Sequence, residues 1–212
     1  MRDIVRQGYE TGRYAEVYRS RSDLDPFERR FFDEFVRLLP ERARVLDLGC
    51  GTGVPYDRHL VQRGCDLTGI DVCGKHLAEA RARVAGATYI QADFSQSLPG
   101  GFDGVMALYA LFHVPRAEHA RLLAAMVGAL AGDGAIMLTL AGRETDETRD
   151  DWLGGPMAWS CYAPDVYLGW LAALGFDLVR IEREAAADED EHHLWLVARR
   201  ARPAVSDRIE DQ

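Results

Sequence analysis

The sequence predicts an α/β fold in which a mostly parallel β-sheet is covered by helices. The stretch Arg44–Pro55 reads R-V-L-D-L-G-C-G-T-G-V-P, which is typical of a buried strand that runs through a glycine loop into a helix. A second apolar stretch, Asp66–Asp71, also reads as a buried strand, and it ends in an acid. Strand-like and helix-like stretches then alternate along the chain, and this order favours parallel strands joined by right-handed crossovers.

The N-terminal segment, residues 1–25, is polar but carries tyrosines at spacings compatible with one helical face. These are Tyr9, Tyr14 and Tyr18. We expect the segment to be helical and to dock this aromatic side on the domain. Asp25 is a suitable N-cap with Pro26 at the first helical position, so the next helix is predicted to begin there. Its apolar residues recur at helical spacing and predict a side that faces the core: Phe27, Phe31, Phe35 and Leu38.

The elements after the glycine loop follow from the same periodicities. Helices are predicted over residues 56–63, 75–84, 115–130 and 164–174, and strands over residues 66–71, 87–92, 103–108 and 135–140. Two further strand patterns, residues 176–184 and 194–199, predict an antiparallel hairpin at the sheet edge. Residues 141–162 are predicted to form a long connection, and a loop of that length inside a domain is usually functional.

Composition narrows the class of protein. A chain of 212 residues, 48% of them hydrophobic, can bury one substantial core, so we expect a single domain. The net charge of −9 provides no global positive field and disfavours nucleic acid as a substrate. The cysteines Cys50, Cys65, Cys73 and Cys161 show no metal-binding spacing and predict free thiols in a reducing compartment. Because no apolar leader or membrane-length run occurs, we expect a cytoplasmic protein without a membrane span.

The glycine loop and the acid at the end of the second strand predict a ligand site. Glycines let the backbone approach a ligand closely, although a tight turn without a ligand would look similar. In dinucleotide-binding folds, an acid in the position of Asp71 accepts hydrogen bonds from ribose hydroxyls. Loop and acid together therefore indicate a cofactor that contains adenosine.

The motifs resemble those of class I S-adenosylmethionine-dependent methyltransferases, in their small-molecule branch. V-L-D-L-G-C-G-T-G is followed by G-I-D, Q-A-D and F-D-G-V-M-A-L, and the resemblance spans residues 27–199. It implies a Rossmann-like, doubly wound, seven-stranded sheet that is mostly parallel and ends in a C-terminal antiparallel hairpin. It also implies a helical lid over residues 1–25, a methyltransferase domain over residues 26–200 and a charged tail over residues 201–212. A dehydrogenase is disfavoured because its third loop glycine would fall on Val54.

The resemblance implies S-adenosylmethionine as the cofactor and assigns its contacts to strand ends. The implied cofactor-binding residues are Asp47, Gly49, Gly51, Asp71, Val72, Asp93 and Phe94. The first three would lie along the methionine part, with the Gly49 carbonyl on its amino group. Asp71 would bind both ribose hydroxyls and Val72 would pack on the adenine. Asp93 would accept a hydrogen bond from the adenine amine, beside a backbone N–H and an apolar wall from Phe94. An Asx turn or a helix cap is an alternative role for Asp93.

His113 is the candidate catalytic residue. Its stretch A-L-F-H-V-P resembles the family's L-H-H-V and would lie near the transfer point. A neutral imidazole there would serve as a general base for an acceptor that must lose a proton. A histidine packed under the cofactor or bonded to the backbone remains an equal alternative. His192 and His193 are predicted to form a solvated pair rather than a metal site.

We expect the acceptor to be a small, partly aromatic or apolar metabolite. Its predicted wall consists of Tyr14, Tyr18, Tyr109, Trp152, Met157, Trp159 and Tyr162. The chain lacks asparagine and therefore lacks the Asp-Asn pair of the metal-dependent branch, so no metal is expected. Two alternatives stay open, a tRNA or rRNA base methyltransferase and a non-catalytic sensor that binds the cofactor. A monomer or a homodimer is expected.

Overall fold

A seven-stranded sheet with the order β3-β2-β1-β4-β5-β9-β8 forms the centre of the protein. The computed structural model describes residues 1–19, 21, 23–184 and 192–201. The strands are β1 Arg44–Leu48, β2 Asp66–Asp71, β3 Thr88–Gln91, β4 Phe102–Ala107, β5 Leu130–Ala141, β6 Thr145–Trp152, β7 Gly155–Cys161, β8 Phe176–Arg183 and β9 His193–Arg200. The helices are α1 Arg2–Thr11, α2 Tyr14–Tyr18, α3 Pro26–Arg37, α4 Tyr56–Gln62, α5 Gly74–Arg83, α6 His119–Ala129 and α7 Pro164–Ala173.

The pairing of the strands confirms the predicted fold class. β1 pairs in parallel with β2 and β4, β2 with β3, and β4 with β5. Only β9 runs antiparallel to both of its neighbours, β5 and β8. The strand order reverses direction between β1 and β4, and ligands in such sheets bind at the carboxyl ends of the strands at this switch point.

Helices cover both faces of the sheet, as a doubly wound fold requires. On one face Phe31, Phe32 and Phe35 of α3 pack with Val45 of β1 and Trp195 of β9. The other face is covered by α6 and α7, whose apolar residues pack on the alternate side chains of the same strands. Because both faces are buried, the central strands are nearly continuous apolar runs, which is the pattern that made them recognisable in the sequence.

The N-terminal segment folds as two short helices rather than one. Tyr9 lies on α1 and Tyr14 on α2, and their rings nevertheless meet edge to face at 5.1 Å. Helix α1 packs on β7, where Val5 joins a small apolar cluster with Met157. A Cβ on Gly8 would lie 1.9 Å from the Pro156 carbonyl oxygen, so only glycine allows this close approach.

The structure corrects the prediction of a long irregular connection over residues 141–162. Most of it forms an antiparallel pair, in which Thr145 of β6 faces Cys161 of β7. Strand β6 reads T-D-E-T-R-D-D-W and is largely exposed, so it lacks the apolar alternation that identifies a strand. Of the predicted charged tail, residues 202–212 lie outside the described residues. Within the described part of the chain, no helix is long and apolar enough to cross a membrane.

Candidate active site

The glycine loop after β1 adopts a backbone that only glycines accept readily. Gly49, Gly51 and Gly53 all have positive φ angles, of 79°, 55° and 71°. A Cβ on Gly49 would lie 2.6 Å from the Cβ of Ala110, which follows β4. The loop is therefore pressed against the end of the neighbouring strand, and its backbone faces the space beyond the sheet edge.

Asp71 at the end of β2 holds this loop in place. Its Oδ2 accepts a hydrogen bond from the Gly51 N–H at 2.9 Å, and its Oδ1 accepts one from the Cys73 N–H at 2.8 Å. Burial raises the pKa of the Asp71 carboxyl above its ordinary value, although His76 and these backbone donors oppose the shift. The carboxylate is thus both a structural support of the loop and a lining group of the site.

Two further acids are buried below the loop. Asp47 is 3% exposed and Asp57 is fully buried. Burial and the mutual proximity of the two carboxyls raise the pKa of Asp47 well above its ordinary value, and burial raises that of Asp57 to about 6. The Tyr89 hydroxyl donates to Asp57 Oδ2 at 2.9 Å, whereas Asp57 Oδ1 has no partner. Such a pair stabilises a positive charge placed above it.

A cavity of about 280 Å³, here called the smaller cavity, lies above the loop. Six of the seven predicted cofactor residues line it, namely Gly49, Gly51, Asp71, Val72, Asp93 and Phe94. Asp47 does not reach the surface of the cavity and lies beneath the loop. Arg2, Val5, Arg6 and Tyr9 of α1 close the cavity from above.

Asp93 is already engaged within the chain. Its Oδ1 accepts hydrogen bonds from the Ser95 N–H and hydroxyl at 2.9 and 2.6 Å, which is an Asx turn. Its Oδ2 accepts from Arg2 Nε at 2.7 Å, and Arg2 also pairs with Glu118 at 2.6 Å. Burial opposes the charge, but the Ser95 hydrogen bonds and Arg2 hold the pKa of Asp93 below its ordinary value. Asp93 thus anchors α1 over the smaller cavity.

A second cavity of about 470 Å³, the larger cavity, adjoins the first. Five of the seven predicted acceptor residues line it, namely Tyr14, Tyr18, Tyr109, Trp152 and Trp159. Trp152 and Trp159 meet edge to face at 5.5 Å. The structure does not bring the other two to either cavity. Met157 is fully buried under α1, and Tyr162 packs against Trp170 at 5.6 Å.

The two cavities share a boundary, and His113 lies on it. The residues that line both are Tyr9, Tyr14, Arg19, Tyr109 and His113. His113 Nδ1 lies 3.0 Å from the Ala158 carbonyl oxygen, which only accepts, so Nδ1 carries the proton. Nε2 therefore accepts a hydrogen bond from the Tyr9 hydroxyl at 2.8 Å. Burial lowers the pKa of His113 to about 4, so the ring is neutral near pH 7.

The sequence reasoning did not assign several residues that complete these walls. Arg19 places its guanidinium carbon 5.3 Å from the ring centre of Tyr14 and 5.5 Å from that of Tyr109. Glu184 accepts a hydrogen bond from the Tyr109 hydroxyl at 2.9 Å. His192 and His193, predicted to be solvated, line the larger cavity. No periodicity marks these residues, because their neighbours are distant in the sequence. Among the described residues, no cluster of histidine, cysteine and acid side chains could hold a metal ion.

The chain is similar to known methyltransferases in sequence and in fold. Residues 45–134 match the family model described as methyltransferase domain. Malonyl-[acyl-carrier protein] O-methyltransferase of Enterobacter lignolyticus is 42% identical over 84 residues, which cover 39% of this chain and 32% of that protein. The 27-O-demethylrifamycin SV methyltransferase of Amycolatopsis mediterranei is 31% identical over 185 residues, covering 80% of this chain and 65% of its own. The chain thus spans less than two thirds of the length of these curated relatives.

A solved structure extends the similarity to the whole fold. Magnesium protoporphyrin IX methyltransferase of Synechocystis, solved with bound S-adenosylmethionine, superposes with a TM-score of 0.70. The match covers 94% of this chain and 97% of that one, at 20% sequence identity. At this identity the likeness concerns the fold alone.

Proposed function

We propose that this chain, which belongs to the class I S-adenosylmethionine-dependent methyltransferase family, transfers a methyl group from S-adenosylmethionine to a small-molecule acceptor. The observation that carries the proposal is the shared boundary of the two cavities, where His113 and Tyr9 lie. One cavity has the glycine loop and acids that suit a nucleoside, and the other has an aromatic lining that suits a small organic molecule. A methyl group at the boundary would be presented from one cavity to the other.

Acidic residues at and below the smaller cavity suit the positive charge of this cofactor. When bound, S-adenosylmethionine supplies an electrophilic methyl group on a positively charged sulfur, which leaves as a neutral thioether. Asp47 and Asp57 are buried, and Asp57 Oδ1 has no hydrogen-bond partner. These two acids would favour a positively charged methionine end of the cofactor above them. Asp71 would receive the ribose hydroxyls while it keeps its hydrogen bond to Gly51.

We further propose that α1 and α2 act as the lid of the site. Five residues of α1 line the smaller cavity, and Arg2 ties this helix to Asp93 and Glu118. A cofactor in the smaller cavity would be covered by these residues, so the helix must move for the cofactor to enter. Excluding water in this way strengthens the electrostatic interactions inside the site.

We infer that the methylated atom is an oxygen. The first curated relative is named an O-methyltransferase, and the hydrogen-bonded pair of Tyr9 and His113 offers a path for the proton that a hydroxyl acceptor loses. The Nε2 of His113 already accepts a hydrogen bond from the Tyr9 hydroxyl, while the hydrogen bond from Nδ1 to the Ala158 carbonyl fixes the tautomer. The proton of the acceptor hydroxyl would pass to the Tyr9 oxygen as the Tyr9 proton passes to Nε2. Burial raises the pKa of Tyr9 well above its ordinary value, so it remains a phenol and relays the proton without a lasting charge.

We extend the proposal to the oligomeric state and the compartment of the protein. We also propose that the protein acts as a monomer or a homodimer. The four cysteines are free thiols in the structure, which supports a reducing compartment such as the cytoplasm.

The decisive test is transfer of label from S-adenosylmethionine that carries a tritiated methyl group. The protein is incubated with a small-molecule extract of the cells that produce it, and separately with their RNA. We expect label in an extractable small molecule, and we expect less of it with Asp71→Ala at the same, subsaturating cofactor concentration. Label only in RNA would identify an RNA methyltransferase, and binding of cofactor without any labelled product would identify a sensor.

A further inference from the structure

Within the described part of the chain, Arg19 is a cation without an anionic partner. It follows α2 and is partly buried, and its guanidinium carbon lies 5.3, 5.4 and 5.5 Å from the ring centres of Tyr14, Tyr56 and Tyr109. Among the described residues its guanidinium forms no ion pair. The hydrogen bond from its Nη1 to the Tyr18 carbonyl is long, at 3.5 Å. Arginines are rarely withdrawn from water unless they are paired.

Two other partly buried arginines, Arg2 and Arg116, have carboxylate partners. Arg2 pairs with Asp93 and Glu118, and Arg116 pairs with Glu144 at 2.5 Å. Three aromatic faces partly replace the hydration of the Arg19 charge. Apart from the donors that reach the Tyr18 carbonyl and the Tyr14 side chain, the in-plane N–H groups of the guanidinium can bind an oxyanion, which is the geometry that arginine uses to hold a carboxylate.

The charge of the larger cavity points the same way. Among the described residues, four arginines and two glutamates line it. Arg21 pairs with Asp25 and Glu28, and both glutamates are also engaged within the chain. Glu147 pairs with Arg149, and Glu184 accepts hydrogen bonds from Tyr109 and Trp195. Arg143, which also lines the cavity, forms no ion pair among the described residues. Among the described lining residues, Arg19 and Arg143 are therefore the arginines without an ion pair, which favours an anionic ligand.

We propose that Arg19 binds a carboxylate group of the acceptor, so that the substrate class is an organic acid with an aromatic or apolar body. This inference rests on the proposed function, because it concerns the acceptor of the same transfer. Tyr18, Trp152 and Trp159 would hold the apolar body, and Arg19 would fix the acidic end. The segment around Arg19 belongs mainly to the larger cavity, since Val17, Tyr18 and Arg21 line that cavity and not the smaller one.

The test measures binding and needs no knowledge of the natural acceptor. The full chain is saturated with S-adenosylhomocysteine and titrated with 3-phenylpropionate or cyclohexanecarboxylate, and with their primary amides. Tryptophan fluorescence reports binding, because Trp152 and Trp159 line the larger cavity. We expect each acid to bind about tenfold more tightly than its amide, since hydrogen bonds to charged groups add at least this much.

Variants of Arg19 locate the effect. Arg19→Met should remove the preference for acids, and Arg19→Lys should retain part of it. Arg13→Met, an exposed arginine that lines neither cavity, is the matched control and should behave as the parent does. The affinity for S-adenosylhomocysteine should change less than threefold in all three. If Arg19→Met fails to fold, the comparison of Arg19→Lys with the parent decides.

Two outcomes would overturn the inference while the proposed function stands. In one, the parent binds acids and amides equally. In the other, Arg19→Met keeps the preference for acids but loses at least tenfold in affinity for S-adenosylhomocysteine, which would assign Arg19 to the carboxylate of the cofactor. A parent that does not bind S-adenosylhomocysteine at all would instead contradict the proposed function.

Discussion

The carboxylate of Asp71 accepts a hydrogen bond from the backbone N–H of Gly51, at 2.9 Å. Asp71 is the last residue of β2, and Gly51 lies in the glycine loop that follows β1. The acid at the end of one strand therefore fixes the loop after the neighbouring strand. The loop and the acid therefore form one unit, and a cofactor that uses either depends on both. This relationship gives the acid a structural role in addition to its proposed role as a ribose ligand.

Replacing Asp71 should weaken cofactor binding while the fold stays intact. Asp71→Ala removes an acceptor of the ribose hydroxyls and loosens the loop, so we expect binding of S-adenosylhomocysteine to weaken by about 1.5–3 kcal/mol. Asp71→Asn keeps one acceptor oxygen and should lose less. Isothermal titration calorimetry measures both, with circular dichroism as the check that the fold is intact. Affinity equal to that of the parent in Asp71→Ala would remove this residue from the site.

Ligand specificity should be visible in thermal unfolding. At a hundredfold excess over its Kd, a ligand adds about 2.7 kcal/mol of stability. For a chain of this size, each kcal/mol raises Tm by about 2–4 °C. We expect S-adenosylmethionine and S-adenosylhomocysteine to raise Tm by several degrees, whereas NAD at the same concentration should not. A rise with NAD alone would favour a dehydrogenase after all.

The sequence predicted the sheet well, because its central strands are buried on both faces. Val45, Leu46 and Leu48 read as one apolar run, and the positive φ angles at Gly49 and Gly51 make glycine the residue of choice there. The sheet formed by β6 and β7 was missed for the opposite reason. Its first strand is exposed and charged, so no periodicity in the sequence distinguishes it from a loop.

The candidate site was predictable only where function leaves a local pattern. Asp71 and the glycine loop are such a pattern, because strand, loop and acid are consecutive features of the chain. Tyr9 and His113 are 104 residues apart, and only the folded chain shows their hydrogen bond. Met157 was assigned to the acceptor wall from residue type alone. In the structure Met157 is fully buried, because it packs with Val5 of α1 in a small apolar cluster that the sequence pattern does not show.

The anchoring of α1 by Arg2 should control how long a cofactor stays bound. Arg2→Gln removes two partly exposed ion pairs, with Asp93 and Glu118, together worth about 0.5–1 kcal/mol. We expect S-adenosylhomocysteine to dissociate about two- to fivefold faster, as stopped-flow fluorescence would show. High salt should raise the dissociation rate of the parent towards that of the variant, because salt screens exposed ion pairs.

The matched control for this prediction is Arg37→Gln. Arg37 also pairs with an acid, Glu34, but it lies on the exposed side of α3 and lines neither cavity. Its dissociation rate should equal that of the parent. If both variants release the ligand equally fast, the effect is one of general charge and α1 is not the lid.

The buried, neutral state of His113 predicts a pH dependence of stability. Its pKa is lowered to about 4 in the folded protein, against about 6.5 in the unfolded chain. Between these values the unfolded chain binds the proton, so the free energy of unfolding falls as pH decreases from about 6.5 to 4. As the pH falls from 7 to 5, the titration of His113 should lower the free energy of unfolding by about 2 kcal/mol.

Urea denaturation of the parent and of His113→Gln at a series of pH values isolates this term. The other titrating groups, including His76 and His119, contribute similarly to both proteins and cancel in the difference. We expect the curve of the parent to fall more steeply over this range by the amount given above. Parallel curves for the two proteins would mean that His113 titrates normally, and its assignment as a desolvated base would fail.

The acceptor wall can be tested with two residues of the same strand. Trp159 lines the larger cavity, whereas Met157, two positions earlier in β7, is fully buried under α1. Met157→Ala should cost about 2–5 kcal/mol of stability, because it leaves a cavity among packed side chains. That loss should lower Tm markedly and weaken cofactor binding through the displaced α1.

Trp159→Ala should behave differently if its side chain aligns the acceptor. We expect its affinity for S-adenosylhomocysteine to stay within twofold of the parent and its Tm to fall by only a few degrees. Turnover with an acceptor identified by the labelling experiment should decrease, because only the partner that must be held in line with the methyl group is loosened. A variant as unstable as Met157→Ala would show instead that Trp159 belongs to the core, and the aromatic wall would lose its role in substrate binding.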